Sequence, residues 1–287
     1  MEEIQAKTIL SKVKNDSFFG LTYNMNLYRG CQHACIYCDS RSTCYQLGEL
    51  SHIRYKGNAI EMLAKELSKK KVKGTIGFGS MNDPYMPAEE TKQLTRQALE
   101  IVAKFHYPVH IITKSDLVIR DIDLLKKISK VYAAISMTIT TADDELAKII
   151  EPNAPLPSAR FEALRILSEK GIYCGITLMP ILPFINDTLE QIENLLNKAT
   201  ASGVKYVIPF MGLTLREGSR EYFYKKLDKY FPGMKERYEK RFGLSYACNS
   251  PNADGLYKLI NQKLVEYKIS NGMEFYKPDL PEQLSLF

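Results

Sequence analysis

Three cysteines near the start of the chain are the residues whose type and spacing most clearly indicate chemistry. Cys31, Cys35 and Cys38 follow the pattern C-x3-C-x2-C. Three thiolates at this spacing can each bind one iron of a [4Fe–4S] cluster, and no fourth cysteine follows at a matching interval. The pattern therefore predicts a redox-active cluster whose fourth iron is open to an exogenous ligand.

A structural zinc site is the alternative for the same segment, with His33 or Cys44 completing the ligand shell. Structural zinc sites usually close a four-ligand shell with paired knuckles, and this segment has no second pair. It also follows a predicted strand at the start of a series of βα units, which favours the cluster. Cys174 falls in an apolar strand and is expected to lie in the core.

The elements that would position these cysteines alternate between strands and helices. Strand runs that are apolar throughout and separated by amphipathic helices predict a parallel sheet that is buried on both faces. The predicted strands are 21–28, 74–78, 109–113, 131–138, 173–178 and 206–210. The predicted helices are 59–71, 89–104, 121–130, 158–170 and 188–201.

Six βα units before residue 215 predict an α/β fold, a partial (open) six-stranded βα barrel over residues 1–215. The candidate functional residues follow strand ends, which is where βα barrels carry their sites. The composition then changes, and residues 216–276 are predicted to form a C-terminal helical region. Residues 277–287, which include Pro278 and Pro281, are predicted to form an extended tail.

The bulk properties leave several classes of partner open and exclude others. The chain has 287 residues, of which 45% are hydrophobic, enough for one sizeable core. No run of eighteen apolar residues occurs, so a membrane span is not expected. The first residues lack the basic-then-apolar layout of a secretory signal, which predicts a cytoplasmic protein. A net charge of +6 permits a polyanionic partner without requiring one.

Further motifs follow the cysteines in a fixed order. They are Asn82-Asp83-Pro84-Tyr85-Met86-Pro87-Ala88-Glu89, Thr113-Lys114-Ser115 with Arg120-Asp121, Ser136-Met137-Thr138, Glu151-Pro152-Asn153-Ala154-Pro155 with Arg160, and Pro180 through Asn186-Asp187. Over residues 22–215 the chain resembles the radical S-adenosylmethionine (SAM) family related to spore photoproduct lyase, often labelled DNA repair photolyase-like. The resemblance implies that SAM chelates the fourth iron and is cleaved on reduction to a 5′-deoxyadenosyl radical that abstracts hydrogen.

The resemblance also implies a set of SAM-binding side chains at or near the strand ends. They are Tyr37, Ser80, Asn82, Asp83, Lys114, Ser136, Glu151 and Arg160. The ammonium of Lys114 can neutralise the SAM carboxylate, and Arg160 can support it. Tyr37 would pack against the adenine, and the other members would hydrogen-bond to the amino group or the ribose. No catalytic residue is assigned.

The chain departs from the spore photoproduct lyases at two positions. Those enzymes place a hydrogen-donating cysteine at the end of the second strand, where this chain reads Gly77-Phe78-Gly79-Ser80. Asp39 stands where a tyrosine commonly follows the third cluster cysteine. Both differences count against repair of spore photoproduct itself.

Residues 216–242 bear on the substrate, because lysines and arginines there interleave with tyrosines and phenylalanines. Such a pattern is typical of surfaces that track phosphates and stack bases, and it is the reason to consider DNA or another nucleic acid as the substrate. A helical cap with buried aromatics and solvated charges is the alternative, and it is favoured for this segment because acidic residues dilute the basic face, namely Glu217, Glu221, Asp228, Glu236 and Glu239. A peptide, cofactor or small molecule is a second hypothesis for the substrate, and a non-catalytic iron–sulfur interaction module is a third reading of the chain. An electron donor such as flavodoxin or ferredoxin would be a partner of the enzyme.

The end of the chain suggests a further partner. Gln283 through Phe287 spell Q-L-S-L-F, which matches the peptide that many bacterial DNA polymerases and repair proteins insert into the sliding clamp. Leu286 and Phe287 would fill an apolar pocket while Gln283 hydrogen-bonds at its rim. The alternative is a tail that folds back and buries Leu284, Leu286 and Phe287 on its own barrel.

Overall fold

A computed structural model describes residues 1–14 and 16–278. The strands in these ranges are β1 (Glu2–Ile4), β2 (Leu10–Lys12), β3 (Tyr23–Met25), β4 (Tyr28–Arg29), β5 (Arg54–Lys56), β6 (Ile76–Phe78), β7 (Val109–Thr113), β8 (Ala133–Thr138), β9 (Tyr173–Leu178), β10 (Tyr206–Pro209), β11 (Gly212–Thr214), β12 (Ala247–Asn249) and β13 (Ser270–Asn271). The helices are α1 (Ala59–Lys69), α2 (Ala88–Lys92), α3 (Leu94–Phe105), α4 (Ile122–Ile128), α5 (Asp144–Ile150), α6 (Pro157–Glu169), α7 (Leu189–Ala201), α8 (Ser219–Tyr230), α9 (Met234–Phe242) and α10 (Ala253–Tyr267). Short 3-10 helices span Asp39–Arg41, Thr43–Tyr45 and Asp116–Asp121.

One eight-stranded sheet organises the chain, in the order β13-β10-β9-β8-β7-β6-β3-β2. The six strands from β3 to β10 in this sheet are mutually parallel, and helices connect them. Strand β13 adds to one edge in parallel and β2 to the other edge in antiparallel orientation. Because β2 and β13 do not pair with each other, the sheet stays open within the described residues. The predicted α/β fold with six parallel strands is confirmed, and the two edge strands are additions to it.

The two faces of the sheet differ because successive side chains of a strand point to opposite sides. In β8, Ile135 and Met137 pack into the main apolar core together with the helices. Ser136 and Thr138 point to the other side, where they hydrogen-bond to side chains of neighbouring strands. The side of the sheet away from the helices is therefore partly polar, and it leads to the site.

Two helical segments differ from the sequence-based expectation. The predicted helix 89–104 is divided into α2 and α3, because Gln93 has a φ of 51° and the buried carboxylate of Glu89 accepts hydrogen bonds from the amides of Thr95 and Arg96. Helix α5 was not predicted. Its start is marked by Asp143, whose carboxylate accepts hydrogen bonds from the amides of Glu145 and Leu146.

The C-terminal region is joined to the barrel by packing as well as by β13. Phe223 and Tyr224 of α8 and Tyr238 of α9 lie in one apolar cluster with Ile36 and Tyr37 of the cysteine loop. Leu256 and its neighbours in α10 belong to the main core. The division of the chain at residue 215 stays a prediction. The predicted clamp-binding residues Gln283, Leu284, Leu286 and Phe287 lie outside the described residues.

Among the helices in the described part of the chain, none combines the length and the apolar character that a bilayer crossing requires.

Candidate active site

The cysteine loop, residues 30–38, follows β4 and is held by backbone hydrogen bonds at both ends. The amide of Cys31 donates to the carbonyl of Leu50 at 2.8 Å, and the amide of Ile36 donates to Ile150 at 2.9 Å. Gly30 has a φ of 88°, and a Cβ there would lie 2.7 Å from the carbonyl oxygen of Leu50. Glycine is therefore required immediately before Cys31.

All three loop cysteines line one cavity of about 530 Å³ at the carboxyl ends of the parallel strands. Polar side chains from four strand ends or the loops after them share its wall, namely Ser80, Asn82, Asp83, Thr113, Lys114, Thr138 and Thr214. Aromatic and apolar side chains form the remainder, among them Phe18, Phe19, Tyr37, Tyr45, Ile112 and Phe210. The sequence motifs thus converge on one place, as expected for residues that follow strand ends.

The donor set fits a cubane cluster better than a single metal ion. Among residues 1–14 and 16–278, no three His, Cys, Asp or Glu side chains are grouped so that they could hold one ion. In a cubane each thiolate binds its own iron, so the three sulfurs need not surround one point. Burial raises the pKa of Cys31 to about 12 and raises that of Cys35 as well. Iron would supply the positive charge that ionises these thiols.

The two residues proposed to complete a zinc shell are occupied elsewhere. His33 is buried, with Nδ1 3.3 Å from the carbonyl oxygen of Asn153 and Nε2 3.2 Å from a carboxylate oxygen of Asp83. Cys44 is exposed, and its sulfur lies 3.7 Å from the guanidinium of Arg216. Both ring nitrogens of His33 thus already have protein partners, and Cys44 does not line the cavity that the three cysteines share.

Asp83 organises the strand ends beside the cysteines. Its carboxylate accepts hydrogen bonds from the Thr113 hydroxyl and the Lys114 amide, both at 2.6 Å, and from the Tyr85 amide at 2.9 Å. Burial opposes ionisation, but the nearby His33 and these hydrogen bonds outweigh it and lower the pKa of Asp83 to about 2. With its oxygens engaged by protein donors, Asp83 is suited to fixing the wall of the cavity.

Lys114 presents its side chain to the cavity, with Nζ 5.7 Å from the centre of the Tyr37 ring. Burial would lower the pKa of this ammonium, but Cys35 and Glu151 raise it overall, so it stays charged. No carboxylate among the described residues forms an ion pair with it. A charged ammonium that faces a cavity in this way is suited to binding an anionic group.

Glu151 and Arg160 form a buried ion pair behind the cavity wall, with a distance of 2.5 Å between their charged groups. Arg160 also donates to the carbonyl oxygens of Pro155 and Thr138, and the Tyr37 hydroxyl donates to Glu151. Neither charged side chain lines the cavity, and a direct contact of either one with the cofactor stays a prediction. Each charge already has a protein partner, and together they hold Tyr37 in place.

Ser136 does not line the cavity either, and its contact with SAM stays a prediction. Its hydroxyl is 2.7 Å from Nε2 of His110 and 2.8 Å from the Tyr206 hydroxyl. Strand β8 ends two residues later at Thr138, which does line the cavity. Residues i and i+2 share a face of a strand, so Ser136 points to the same side of the sheet as Thr138 but lies two residues further from the cavity. The ring of Phe19 stacks 4.9 Å from that of His110.

Burial lowers the pKa of His110 from 6.5 to about 3, which predicts a pH-dependent stability. The folded protein keeps His110 neutral while the unfolded chain binds a proton below pH 6.5. The stability contributed by the neutral ring is thus fully present above pH 6.5 and is lost as the pH falls toward 3. Between pH 7 and pH 5 we expect the unfolding free energy of the wild type to fall by about 2 kcal/mol more than that of His110→Gln.

Urea unfolding of both proteins at several pH values measures that difference. His106→Gln is the matched control, because His106 is exposed, and it should follow the wild-type profile. Parallel profiles for the wild type and His110→Gln would show that His110 is not held neutral by the fold.

Several residues of the site were missed by sequence reasoning. His33 was considered only as a zinc ligand, although the histidine between the first two cysteines is itself a signal. Thr113 precedes Lys114 in a motif that was noticed, but its hydroxyl contact with Asp83 depends on the pairing of β6 with β7. Phe18 and Phe19 lie before the first predicted strand and carry no motif.

Comparison with known proteins identifies the family of the chain. Residues 25–199 match the model of the radical SAM superfamily. An uncharacterized protein of Mycobacterium tuberculosis is 30% identical over 298 residues, covering 99% of this chain and 87% of that protein. An uncharacterized protein of Methanocaldococcus jannaschii is 35% identical over 206 residues, covering 71% of this chain and 74% of that protein. A radical SAM Nα-GlyT isomerase of Pseudomonas phage M6 is 26% identical over 213 residues, covering 74% of this chain and 41% of that protein.

Among solved structures, spore photoproduct lyase in complex with dinucleoside spore photoproduct superposes with a TM-score of 0.68. The sequence identity is 15%, and the match covers 92% of this chain and 78% of the lyase. A mutant of the same enzyme with bound AdoMet and the dinucleoside also gives a TM-score of 0.68 at 15% identity, covering 95% of this chain and 81% of the lyase. The fold of the chain is therefore that of spore photoproduct lyase.

Proposed function

The chain belongs to the radical SAM superfamily, whose enzymes use a [4Fe–4S] cluster and SAM, and from this premise we propose that it abstracts hydrogen from a nucleic acid, most directly DNA. The observation that carries the proposal is the cavity itself. Three cysteines, a charged lysine and several aromatic side chains line its wall together. The cysteines and the lysine suit a cluster with SAM, and the aromatic side chains suit the planar base of a nucleotide.

Each part of the wall has a role in this proposal. Cys31, Cys35 and Cys38 would hold the cluster, and Lys114 would neutralise the SAM carboxylate. Ser80 and Asn82 are suited to hydrogen-bonding the rest of SAM, while Asp83 keeps the strand ends in register. The bound cofactors supply a carbon-centred radical that removes hydrogen from the substrate.

The nucleic-acid substrate is supported by the surroundings of the cavity and by the relatives. Phe18, Phe19 and Tyr45 at the cavity offer faces on which a base can stack. Arg216 lies beside Tyr45, with 2.6 Å between its guanidinium and the tyrosine hydroxyl, and adds a cation next to the cavity that is paired with Asp39 at 3.5 Å. Spore photoproduct lyase, whose fold the chain shares, binds a dinucleoside. The absence of a cysteine at Gly79 or Ser80 favours a reaction other than repair of spore photoproduct.

Mass spectrometry of oligonucleotides tests this proposal. The anaerobically reconstituted enzyme is incubated with SAM, dithionite and either damaged or undamaged DNA. We expect a mass change or restored base in one DNA, together with 5′-deoxyadenosine in excess of the amount formed without DNA. If the yield of 5′-deoxyadenosine were the same with and without DNA and every oligonucleotide were unaltered, the substrate would instead be a peptide, cofactor or small molecule.

We also propose that the end of the chain binds the bacterial sliding clamp, from the sequence of Gln283 through Phe287. A labelled peptide of residues 277–287 should bind purified clamp in a fluorescence anisotropy titration, because Leu286 and Phe287 would fill an apolar pocket while Gln283 hydrogen-bonds at its rim. Changing Leu286 and Phe287 to Ala should abolish binding. Equal binding by both peptides would show that the match is fortuitous.

Reduction of the cluster would come from a flavodoxin or ferredoxin.

A further inference from the structure

One exposed face of α8 carries only cations and aromatic rings. Its members recur three and four residues apart and so share one side of the helix. They are Tyr222, Lys225, Lys226, Lys229 and Tyr230, here called the α8 stripe. Lys225, Lys229 and Tyr230 are exposed, and the other two are partly exposed. The buried aromatics of the same helix, Phe223 and Tyr224, point toward the cysteine loop instead.

The acidic residues of α8 are engaged away from the stripe. Glu221 accepts a hydrogen bond from the amide of Gly218 at 2.5 Å and so caps the start of the helix. Asp228 pairs with Lys235 of α9 at 3.2 Å. The lysines of the stripe therefore keep their charge uncompensated by these carboxylates, and like charges four residues apart destabilise a helix. An anionic partner would relieve that repulsion.

Cations and rings alternate in contact along the stripe. Nζ of Lys226 lies 5.2 Å from the centre of the Tyr222 ring and 5.9 Å from that of Tyr230. Nζ of Lys229 lies 4.8 Å from the Tyr230 ring, and its hydrogen bond lowers the pKa of that phenol. A cation therefore lies beside each ring of the stripe, so that an ammonium for a phosphate and an aromatic ring for a base occur next to each other.

The stripe is continuous with the active-site cavity. The guanidinium of Arg41 lies 3.7 Å from the centre of the Tyr222 ring. Arg41 ends a short helix whose first two residues, Asp39 and Ser40, line the cavity immediately after Cys38. The amide of Thr43 donates to the carbonyl of Glu217 at 3.0 Å, which fixes this turn against the start of α8.

We infer that the α8 stripe and Arg41 form a binding track for single-stranded nucleic acid, which leads the strand toward the cavity. Cations that follow a backbone and aromatics that stack bases are the usual means of binding a single strand. Helix α8 has 12 residues and is about 18 Å long, enough for several phosphates. A membrane surface is a poorer fit, because the stripe has no aliphatic side chain to insert. The inference rests on the proposed nucleic-acid substrate and extends it to a surface outside the cavity.

Fluorescence anisotropy tests the track with the anaerobically reconstituted full chain and a fluorescein-labelled 20-mer of thymidylate. The triple variant Lys225→Ala/Lys226→Ala/Lys229→Ala should weaken binding roughly tenfold or more, and the slope of log K against log salt should fall by about two. Tyr222→Leu/Tyr230→Leu should weaken binding with an unchanged slope, because stacking releases no counterions. Cluster absorbance and far-UV circular dichroism confirm that the variants are folded.

The matched control is Lys126→Ala/Lys127→Ala/Lys130→Ala, which removes the same charge from exposed lysines at and just beyond the end of α4. That end precedes β8 and lies at the opposite end of the barrel from the cavity. The control should bind as the wild type does.

The possible failures are distinct. If the wild type binds the oligonucleotide and the stripe variants bind equally well, the track is wrong while the proposed substrate stands. If the wild type does not bind it, the track and the nucleic-acid substrate both fall, and the superfamily assignment does not. Equal competition by polyglutamate or by vesicles of phosphatidylserine, matched for charge, would assign the surface to an acidic protein or a membrane and overturn the track.

Discussion

Replacing any one of Cys31, Cys35 and Cys38 by alanine is expected to abolish both the absorbance of the iron–sulfur cluster and the cleavage of SAM. Each thiolate would bind a separate iron, and the loop offers no spare ligand because His33 is engaged by Asn153 and Asp83. Iron and sulfide analysis, visible absorbance and the yield of 5′-deoxyadenosine measure the loss. This is the largest effect expected of any single substitution in the chain.

Two other cysteines provide matched controls. Cys44 is exposed outside the loop and Cys174 is buried in β9, so Cys44→Ala and Cys174→Ala should keep four irons and full SAM cleavage. A protein that keeps its cluster after loss of Cys35, or loses it with Cys44→Ala, would show that the ligands are assigned incorrectly.

The second large effect is expected from Lys114→Ala, which should weaken SAM binding by roughly two orders of magnitude while the cluster remains. Removing one partner of a buried pair costs about 3–5 kcal/mol, and about 3 kcal/mol corresponds to a hundredfold in affinity. Lys114 faces the cavity and stays charged, so its loss leaves the SAM carboxylate without a counter-charge. Equilibrium dialysis with labelled SAM on the reconstituted protein measures the change.

Lys148→Ala is the control for that substitution, because Lys148 is exposed and pairs only with Glu145 in the described structure. It should bind SAM as the wild type does. Lys114→Arg keeps the charge with a different shape and should recover part of the affinity. If Lys114→Ala bound SAM normally, the lysine would belong to the substrate part of the cavity or to the structure of the wall.

The sequence predicts the barrel well because its strands are buried on both faces and therefore read as continuous apolar runs. Strands β7 and β9 fall at the predicted residues, and the remaining four are shorter by one to five residues. The small strands β1, β4 and β5, which pair with one another beside the cysteine loop, were not predicted. They have two or three residues each, too few for a period-2 pattern to be recognised.

The site shows where sequence reasoning stops. Motif order places residues at strand ends, and Ser80, Asn82, Asp83 and Lys114 do line the cavity. It does not resolve depth within a strand, since Thr138 lines the cavity while Ser136 of the same strand is buried beneath it. Motif order also does not show which charged side chains form ion pairs with each other, as Glu151 and Arg160 do.

The basic and aromatic segment, residues 216–242, shows the same limit of sequence reasoning. Helix α8 has the buried rings of the cap interpretation, and the surface for nucleic acid on the same helix stays a proposal. The two interpretations concern opposite sides of the helix: Phe223 and Tyr224 are buried against the cysteine loop, and Tyr222 and Tyr230 are accessible. Only the positions of the neighbouring elements decide which ring faces which way.

Electron paramagnetic resonance of the anaerobically reconstituted, dithionite-reduced protein, recorded with and without SAM and combined with metal and sulfide analysis, tests the central claim most directly. We predict four irons and four sulfides per chain and a signal of one reduced [4Fe–4S] cluster that shifts when SAM is added, because SAM would bind the iron that no cysteine holds. A colourless protein with one zinc per chain, or a cluster whose signal is indifferent to SAM, would contradict the assignment of Cys31, Cys35 and Cys38 as a three-cysteine site with an open iron.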